Sequence, residues 1–257
     1  MRRASVWRPS KFVSSRGTLR GSRDPQAVGV GSRLTTDVIA GNYGILIAAH
    51  CRGRLLDLGC GEVPLFGAYR PFVTDVVCAD WPASIHGNRH VDVLCDLTSR
   101  LPFATGSFDT ILLSDVLEHI AEPLELCREI ARLLAPGGNL IMNVPFFYWL
   151  HEQPYDYYRY TEFALRRFMA QTQLSVTTLV PVGGAPEIIV DILAKELVRI
   201  PKIGWRLSAA LQVLAGWILR PPPGRLWTRR SAALFPLGYF LVAEKLLRNA
   251  AYSPTAE

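Results

Sequence analysis

The sequence has little cysteine and no framework built from it. Its 257 residues include five, Cys51, Cys60, Cys78, Cys95 and Cys127, and no C-x-x-C pair among them. An odd count without ligand spacing excludes a disulfide scaffold and gives no zinc signature, so no metal is expected and a reducing compartment fits. Residues 1–30 have no apolar core segment, so no secretory signal is expected. No apolar run reaches the roughly 20 residues of a spanning helix. The nearest, 203–219, is short and is interrupted by Arg206, Ser208 and Gln212. No internal repeat is apparent. Charge is unevenly placed: the chain carries +6, but residues 1–33 alone carry +7 and the remainder −1. The basicity belongs to an N-terminal arm, and the near-neutral body is a poor match for a nucleic-acid partner.

What the chain does have is alternation. Arg54 to Leu58 reads as a strand: its run from Leu55 to Leu58 is continuous rather than alternating, the pattern of a strand buried on both faces. Val73 to Ala79, His90 to Leu94, Phe108 to Leu113, Asn139 to Val144 and Leu174 to Val180 read as further strands. Pro123 to Leu134 reads as an amphipathic helix, with Leu126, Ile130, Leu133 and Leu134 on one side, stopped by Pro136-Gly137-Gly138. Thr161 reads as the N-cap of a helix from Glu162 to Ala170. Two apolar helices are expected over 186–219, and a last strand over Leu237 to Glu244. Strands alternating with helices predict an α/β fold: a doubly wound, mainly parallel sheet. The expected organisation is a disordered basic arm at 1–33, a core at 34–182, an apolar helical insertion at 183–236, and a last strand and tail at 237–257.

Asp57-Leu58-Gly59-Cys60-Gly61 follows the first of these strands, where glycines permit backbone angles and close approaches that a Cβ forbids. Ligands bind beyond the carboxyl ends of such strands. A dinucleotide fingerprint would require a third glycine opening the helix, and Val63-Pro64 stands there instead. This disfavours a nicotinamide enzyme. Asp80 ends the second strand, and a carboxylate there can accept two hydroxyl hydrogen bonds. Asp96-Leu97 follows the third strand, Ser107-Phe108-Asp109 enters the fourth, Ser114 to Ile120 leaves it, and Arg132 to Gly138 makes the turn before the fifth.

Taken in order, these motifs resemble a class I S-adenosylmethionine-dependent methyltransferase of the methyltransferase-11 type over residues 53–182, with Gly238 to Lys245 resembling its last, antiparallel strand. The resemblance implies a Rossmann-like sheet and S-adenosyl-L-methionine as cofactor. It implies cofactor contacts from Asp57, Gly59, Cys60, Gly61, Asp80, Asp96, Leu97 and Ser114: a methionine cradle at 57–61, a ribose-holding Asp80 and an adenine contact at Asp96-Leu97. Residues 151–161, His-Glu-Gln-Pro-Tyr-Asp-Tyr-Tyr-Arg-Tyr-Thr, resemble an HE.PyDyyRYT loop of a bacterial branch of that family, whose members often lie near genes for surface-polysaccharide assembly.

The loop leaves a strand end and should line the acceptor side. Its candidate substrate contacts are Tyr155, Asp156, Tyr158 and Arg159, with a structural Asp156–Arg159 pair as the alternative. His119 and His151 are candidate general bases. The expected reaction is methyl transfer to a small-molecule hydroxyl, of a sugar, glycolipid or related metabolite. The alternatives are a quinone or lipid methyltransferase at a membrane surface, or a non-catalytic cofactor-binding scaffold. The expected partner is a small or lipid-linked acceptor. The expected location is cytoplasmic, with 203–219 as a peripheral contact at the inner face of the membrane or as a homodimer face.

Overall fold

Strand alternation sorts the apolar residues onto two faces of one sheet. The computed structural model describes residues 1, 4–15 and 17–247; the expected tail from Arg248 onward lies outside the described residues. In chain order the elements are β1 (Phe12–Ser15), β2 (Thr18–Gly21), α1 (Arg33–His50), β3 (Arg54–Leu58), α2 (Phe66–Tyr69), β4 (Asp75–Asp80), β5 (Val93–Leu94) and β6 (Phe108–Ser114). They continue with α3 (Pro123–Leu133), β7 (Leu134–Pro145), α4 (Glu162–Gln171), β8 (Leu174–Val182), α5 (Ala185–Val198), α6 (Gly204–Leu219), α7 (Pro222–Ala232) and β9 (Gly238–Lys245). Leu56, Leu58, Ile111, Leu113, Leu140 and Met142 point to the α3–α4 side. Leu55, Leu112, Ile141, Phe240 and Val242 point to the α1–α2 side. Because successive side chains in a strand face opposite ways, a continuous apolar run serves both cores at once.

The seven-stranded sheet has the order β5-β4-β3-β6-β7-β9-β8. The pairs from β5 to β7 are parallel, and β9 runs antiparallel to both β7 and β8. The chain winds outward from β3 in one direction and returns at β6 to build the other half. The strand order therefore reverses between β3 and β6, and a crevice opens beyond their carboxyl ends. This is the Rossmann-like, mainly parallel fold with an antiparallel last strand and a helical insertion before it. Thr161 caps α4 as expected, accepting from the Ala164 N–H at 3.3 Å. The expected third strand shortens to Val93–Leu94; the two helices expected over 186–219 are present as α5 and α6, and a third, α7, follows them after Pro221, with Pro222 at its first position.

The structure differs most from expectation in residues 4–33. Instead of a disordered arm, the segment carries the β1–β2 hairpin, laid over α1. Its aromatic residues find a place. Phe12 is buried edge-on against Tyr43, and Trp7 packs on Phe66. Arg23 forms a two-bond contact with Asp37, at 3.0 and 2.7 Å. The insertion holds the arm from the other side. Gln212 of α6 accepts from the Leu34 N–H at 2.8 Å and donates to the Gly31 carbonyl at 2.7 Å.

Candidate active site

Beyond β3 the backbone turns through left-handed geometry three times within five residues, at Gly59 (φ +72°), Gly61 (φ +50°) and Val63 (φ +54°). A Cβ on Gly59 would lie 2.5 Å from Val116 Cγ2, so that position admits only glycine on two counts. The Gly59 and Cys60 N–H groups both donate to the Ala79 carbonyl, at 2.9 and 3.2 Å, which ties the loop to β4. Val63 occupies the place where the resemblance would put a further glycine. A β-branched residue at positive φ is strained by about 1–3 kcal/mol. Complete burial of its side chain offsets the strain, and the Trp7 indole N–H fixes its carbonyl at 2.9 Å. Cys60 lies buried against Cys78, whose hydrogen bond, together with burial, pushes its thiol up, so Cys60 contributes backbone rather than thiolate.

Asp57 is buried at the sheet end and accepts a 2.9 Å hydrogen bond from the Tyr69 hydroxyl. Burial raises its carboxyl to about 7, against the pull of the Tyr69 bond, and the nearby Asp80 adds to the rise. Asp80 accepts from the Gly61 N–H at 2.6 Å and from the Trp81 N–H at 2.7 Å. Burial raises its carboxyl as well, opposed by those two amides. Its carboxylate braces the glycine loop from behind and is not part of the cavity wall. Asp96 and Leu97 do line the cavity, with Asp96 held by the Thr98 N–H and hydroxyl at 2.9 and 2.8 Å. Ser114, also in the wall, accepts from the Tyr43 hydroxyl.

One cavity of about 940 Å³ runs from this loop to the far side of the crevice. That is at the upper end of the roughly 300–1,000 Å³ of small-molecule sites, and large enough for two ligands side by side. Its far end is built by Glu118, His119, His151, Glu152 and Tyr155. Glu118 and His119 sit on a 3-10 turn after β6, and the 151–161 loop is laced onto that turn. The Glu118 carbonyl accepts from the Tyr157 N–H at 2.9 Å. The Tyr158 hydroxyl donates to the Ala121 carbonyl at 2.8 Å, and the Tyr160 hydroxyl to the Leu117 carbonyl at 3.0 Å. This lacing brings the His119 and His151 rings to 4.8 Å in an edge-to-face arrangement. Burial pushes the Glu118 carboxyl up. His86 pairs with Glu152 at 3.0 Å, a contact that raises the imidazole and lowers the carboxyl.

Of the expected substrate contacts, the structure brings only Tyr155 to the cavity. Tyr158 is turned onto the Ala121 carbonyl. Asp156 and Arg159 form an internal pair, with Arg159 Nη2 at 2.8 Å from Asp156 Oδ2 and at 2.9 Å from the Trp149 carbonyl. The guanidinium holds the Asp156 carboxyl down at about 2. These three side chains shape the loop, because each is consumed by a partner within it or under it. Sequence reasoning missed Glu118, His86 and Glu152 as parts of the site. Glu118 was visible only as the neighbour of His119; its burial and the return of His151 toward it depend on the loop's path.

Sheet order and site together define the class I methyltransferase fold. Residues 56–142, about a third of the chain, match the family model described as "Methyltransferase domain", and that stretch is such a domain. Curated relatives described as ubiquinone biosynthesis O-methyltransferase match part of the chain. That of Parvibaculum lavamentivorans is 33% identical over 98 residues, covering 35% of this chain and 39% of the relative. That of Xanthomonas campestris pv. campestris is 31% identical over 103 residues, covering 35% and 42%. The matched region thus spans about two fifths of those relatives' length.

Solved structures share the fold over longer stretches at low identity. Geranyl diphosphate C-methyltransferase from Streptomyces coelicolor A3(2) superposes with TM-score 0.54 at 16% identity, over 87% of this chain and 86% of that one. The [4+2]-cyclase SpnF superposes with TM-score 0.53 at 20% identity, over 82% and 83%.

Proposed function

We propose that the chain transfers a methyl group from S-adenosylmethionine to a hydroxyl oxygen of a small molecule. The observation that carries this reading is the single cavity joining the glycine loop to the Glu118–His119–His151 end, with cofactor residues at one side and proton-handling residues at the other. The sulfonium activates its own methyl group, so the protein's task is to align donor and acceptor for in-line displacement; proximity supplies most of the rate. The methyl passes to the acceptor oxygen, the S–CH₃ electron pair stays on sulfur as a neutral thioether, and the hydroxyl proton leaves. His119 and His151, both in the cavity wall, are the candidates for the base that takes that proton.

The fold alone does not decide the reaction, since a cyclase shares it. What favours methyl transfer over a scaffold is the retained loop, Asp57 and Asp96-Leu97 in the wall. The names of the relatives favour a ring-borne, quinol-type hydroxyl over the sugar or glycolipid hydroxyl expected from the loop. The exposed Tyr155 ring, edge-on to Trp81 at 5.3 Å, suits a flat acceptor. An apolar acceptor also suits the outer face of the insertion, where Trp205, Leu214, Trp217, Ile218 and Trp227 are exposed. Among the described residues no helix is long and apolar enough to cross a membrane, so this face supports a peripheral contact.

The test is incubation with methyl-labelled S-adenosylmethionine and two panels, catechols and quinols in one and sugar alcohols in the other, read by mass spectrometry. Label in the first panel is expected. Label only in sugars would overturn the ring assignment, and label in neither with cofactor bound would overturn methyl transfer to both classes. Flotation with anionic vesicles tests the peripheral contact; protein left wholly at the bottom of the gradient would rule it out.

A further inference from the structure

We propose that Glu118, His119 and His151 form a binding site for one divalent transition-metal ion at the acceptor end of the cavity. Glu118 has no solvent exposure, yet neither of its carboxylate oxygens has a hydrogen-bond partner. A buried carboxylate without donors is costly and calls for a cation. Two imidazole nitrogens face it. His119 Nε2 and His151 Nε2 each lie 3.8 Å from Glu118 Oε1, beyond hydrogen-bond reach, and His119 Nε2 is itself buried without a partner. The three potential ligand atoms all fall within 4.8 Å of one another.

The far sides of the rings decide what the near sides offer. His119 Nδ1 is 3.0 Å from the Tyr155 carbonyl, and His151 Nδ1 is 3.2 Å from the Trp149 carbonyl. Carbonyls only accept, so each Nδ1 is the donor there, which leaves each Nε2 as the atom that can offer a lone pair to an ion. This is the outer-shell arrangement that orients metal-bound histidines. Asp156 Oδ2, also 3.4 Å from His151 Nδ1, adds the carboxylate that commonly backs such a ring. It is itself fixed by Arg159, which gives the loop's internal ion pair a purpose.

Bonds of about 2.0–2.2 Å to nitrogen and oxygen require ligand atoms roughly 3–3.5 Å apart in a tetrahedral site. The observed spacings close to that by shifts of a few tenths of an ångström to about 1 Å. Two imidazoles and one carboxylate, with no thiolate, suit zinc, manganese, cobalt or iron(II), and not an all-oxygen magnesium or calcium cage. The three residues leave a coordination position open toward the cavity, with Glu152 Oε2 at 3.9 Å from His119 Nε2 on its rim. An acceptor oxygen bound there would lose its proton more easily; with both Nε2 lone pairs on the ion the histidines act as ligands in place of a base, and the proton leaves to water in the open cavity. That last role rests on the methyl-transfer reading; the metal site itself does not.

The two are separable by experiment. The full chain, stripped with a chelator and kept free of S-adenosylmethionine, is titrated by calorimetry with zinc and separately with cobalt, whose visible spectrum reports coordination. The expected result is one ion per chain, with affinity at least tenfold weaker in His119→Ala and in His151→Ala and unchanged in His50→Ala. Circular dichroism and melting of each variant show whether it is folded. Absence of binding by the wild-type chain overturns the proposal whatever the variants do. So does binding that persists undiminished when His119 and His151 are replaced. Metal binding without cofactor binding leaves this site standing and defeats the methyl-transfer reading, and the reverse outcome defeats this site alone.

Discussion

The Tyr69 hydroxyl donates to Asp57 Oδ2 at 2.9 Å, and both side chains are buried beneath the glycine loop. That bond holds down a carboxyl that burial lifts to about 7. Tyr69 is itself fixed on α2, so the short helix after the loop tunes the acid before it. Tyr69→Phe should raise the Asp57 carboxyl further by on the order of one unit. Because the cofactor is cationic at sulfur and at its amino group, binding prefers ionised Asp57. Affinity for S-adenosylmethionine in Tyr69→Phe should therefore fall several-fold at neutral pH and recover at pH 9, as calorimetry at the two values would show.

The same carboxyl makes stability depend on pH. Asp57 in the folded chain holds its proton up to about 7. The unfolded chain releases it near the ordinary aspartate value of about 3.9. Between those values the folded state binds more protons, so this group favours folding at low pH and its contribution is lost as pH rises toward 7. Glu118, Asp80 and Asp191 are raised too and act in the same direction. The comparison must therefore be with Asp57→Asn. The variant should show a flatter stability profile between pH 5 and pH 7, by on the order of 1 kcal/mol per unit, in urea unfolding followed by tryptophan fluorescence. Parallel profiles for the two proteins would contradict the assignment.

Asp156→Ala should separate shaping from binding. The carboxylate is buried and takes two hydrogen bonds from Arg159. Its loss leaves the guanidinium without its counter-charge and costs about 3 kcal/mol, or roughly 6–12 °C in melting temperature for a chain of this size. Cofactor affinity should stay within about twofold, since the loop lies at the opposite end of the cavity. Tyr155→Ala is expected to behave the other way, with melting unchanged and a raised KM for the acceptor.

Val63→Gly sets two effects against each other. Glycine relieves positive-φ strain of about 1–3 kcal/mol. It also forfeits a fully buried side chain worth about 1.5–3 kcal/mol and adds unfolded-state entropy of about 0.5–1 kcal/mol. Net destabilisation of about 1 kcal/mol is expected, and a stabilised variant would mean that the strain is the larger quantity.

The parts of the site readable in the sequence were those whose residues sit close together along it. Asp57, Gly59 and Gly61 act through one turn, and Asp96-Leu97 through one strand end; all are in the cavity wall. Asp80 was correctly seen as a strand-end acid, but its turn toward the Gly61 and Trp81 amides needs coordinates. Glu118 and His151 lie far apart in sequence and meet only because Tyr157, Tyr158 and Tyr160 bond to the turn after β6. The Tyr158 and Tyr160 hydroxyls, with the Tyr157 backbone N–H, are the pegs of that loop. The N-terminal arm misled by composition. Arginine and serine dominate the count, while Phe12, which is buried, and Trp7, which packs on Phe66, decide the structure.

The central claim is tested most directly by titrating the purified chain with S-adenosylmethionine in a calorimeter, alongside Asp80→Ala. One binding site per wild-type chain is expected, with affinity at least tenfold weaker in the variant as the glycine loop loses its brace. A wild-type chain that takes up no cofactor at saturating concentration would contradict the account.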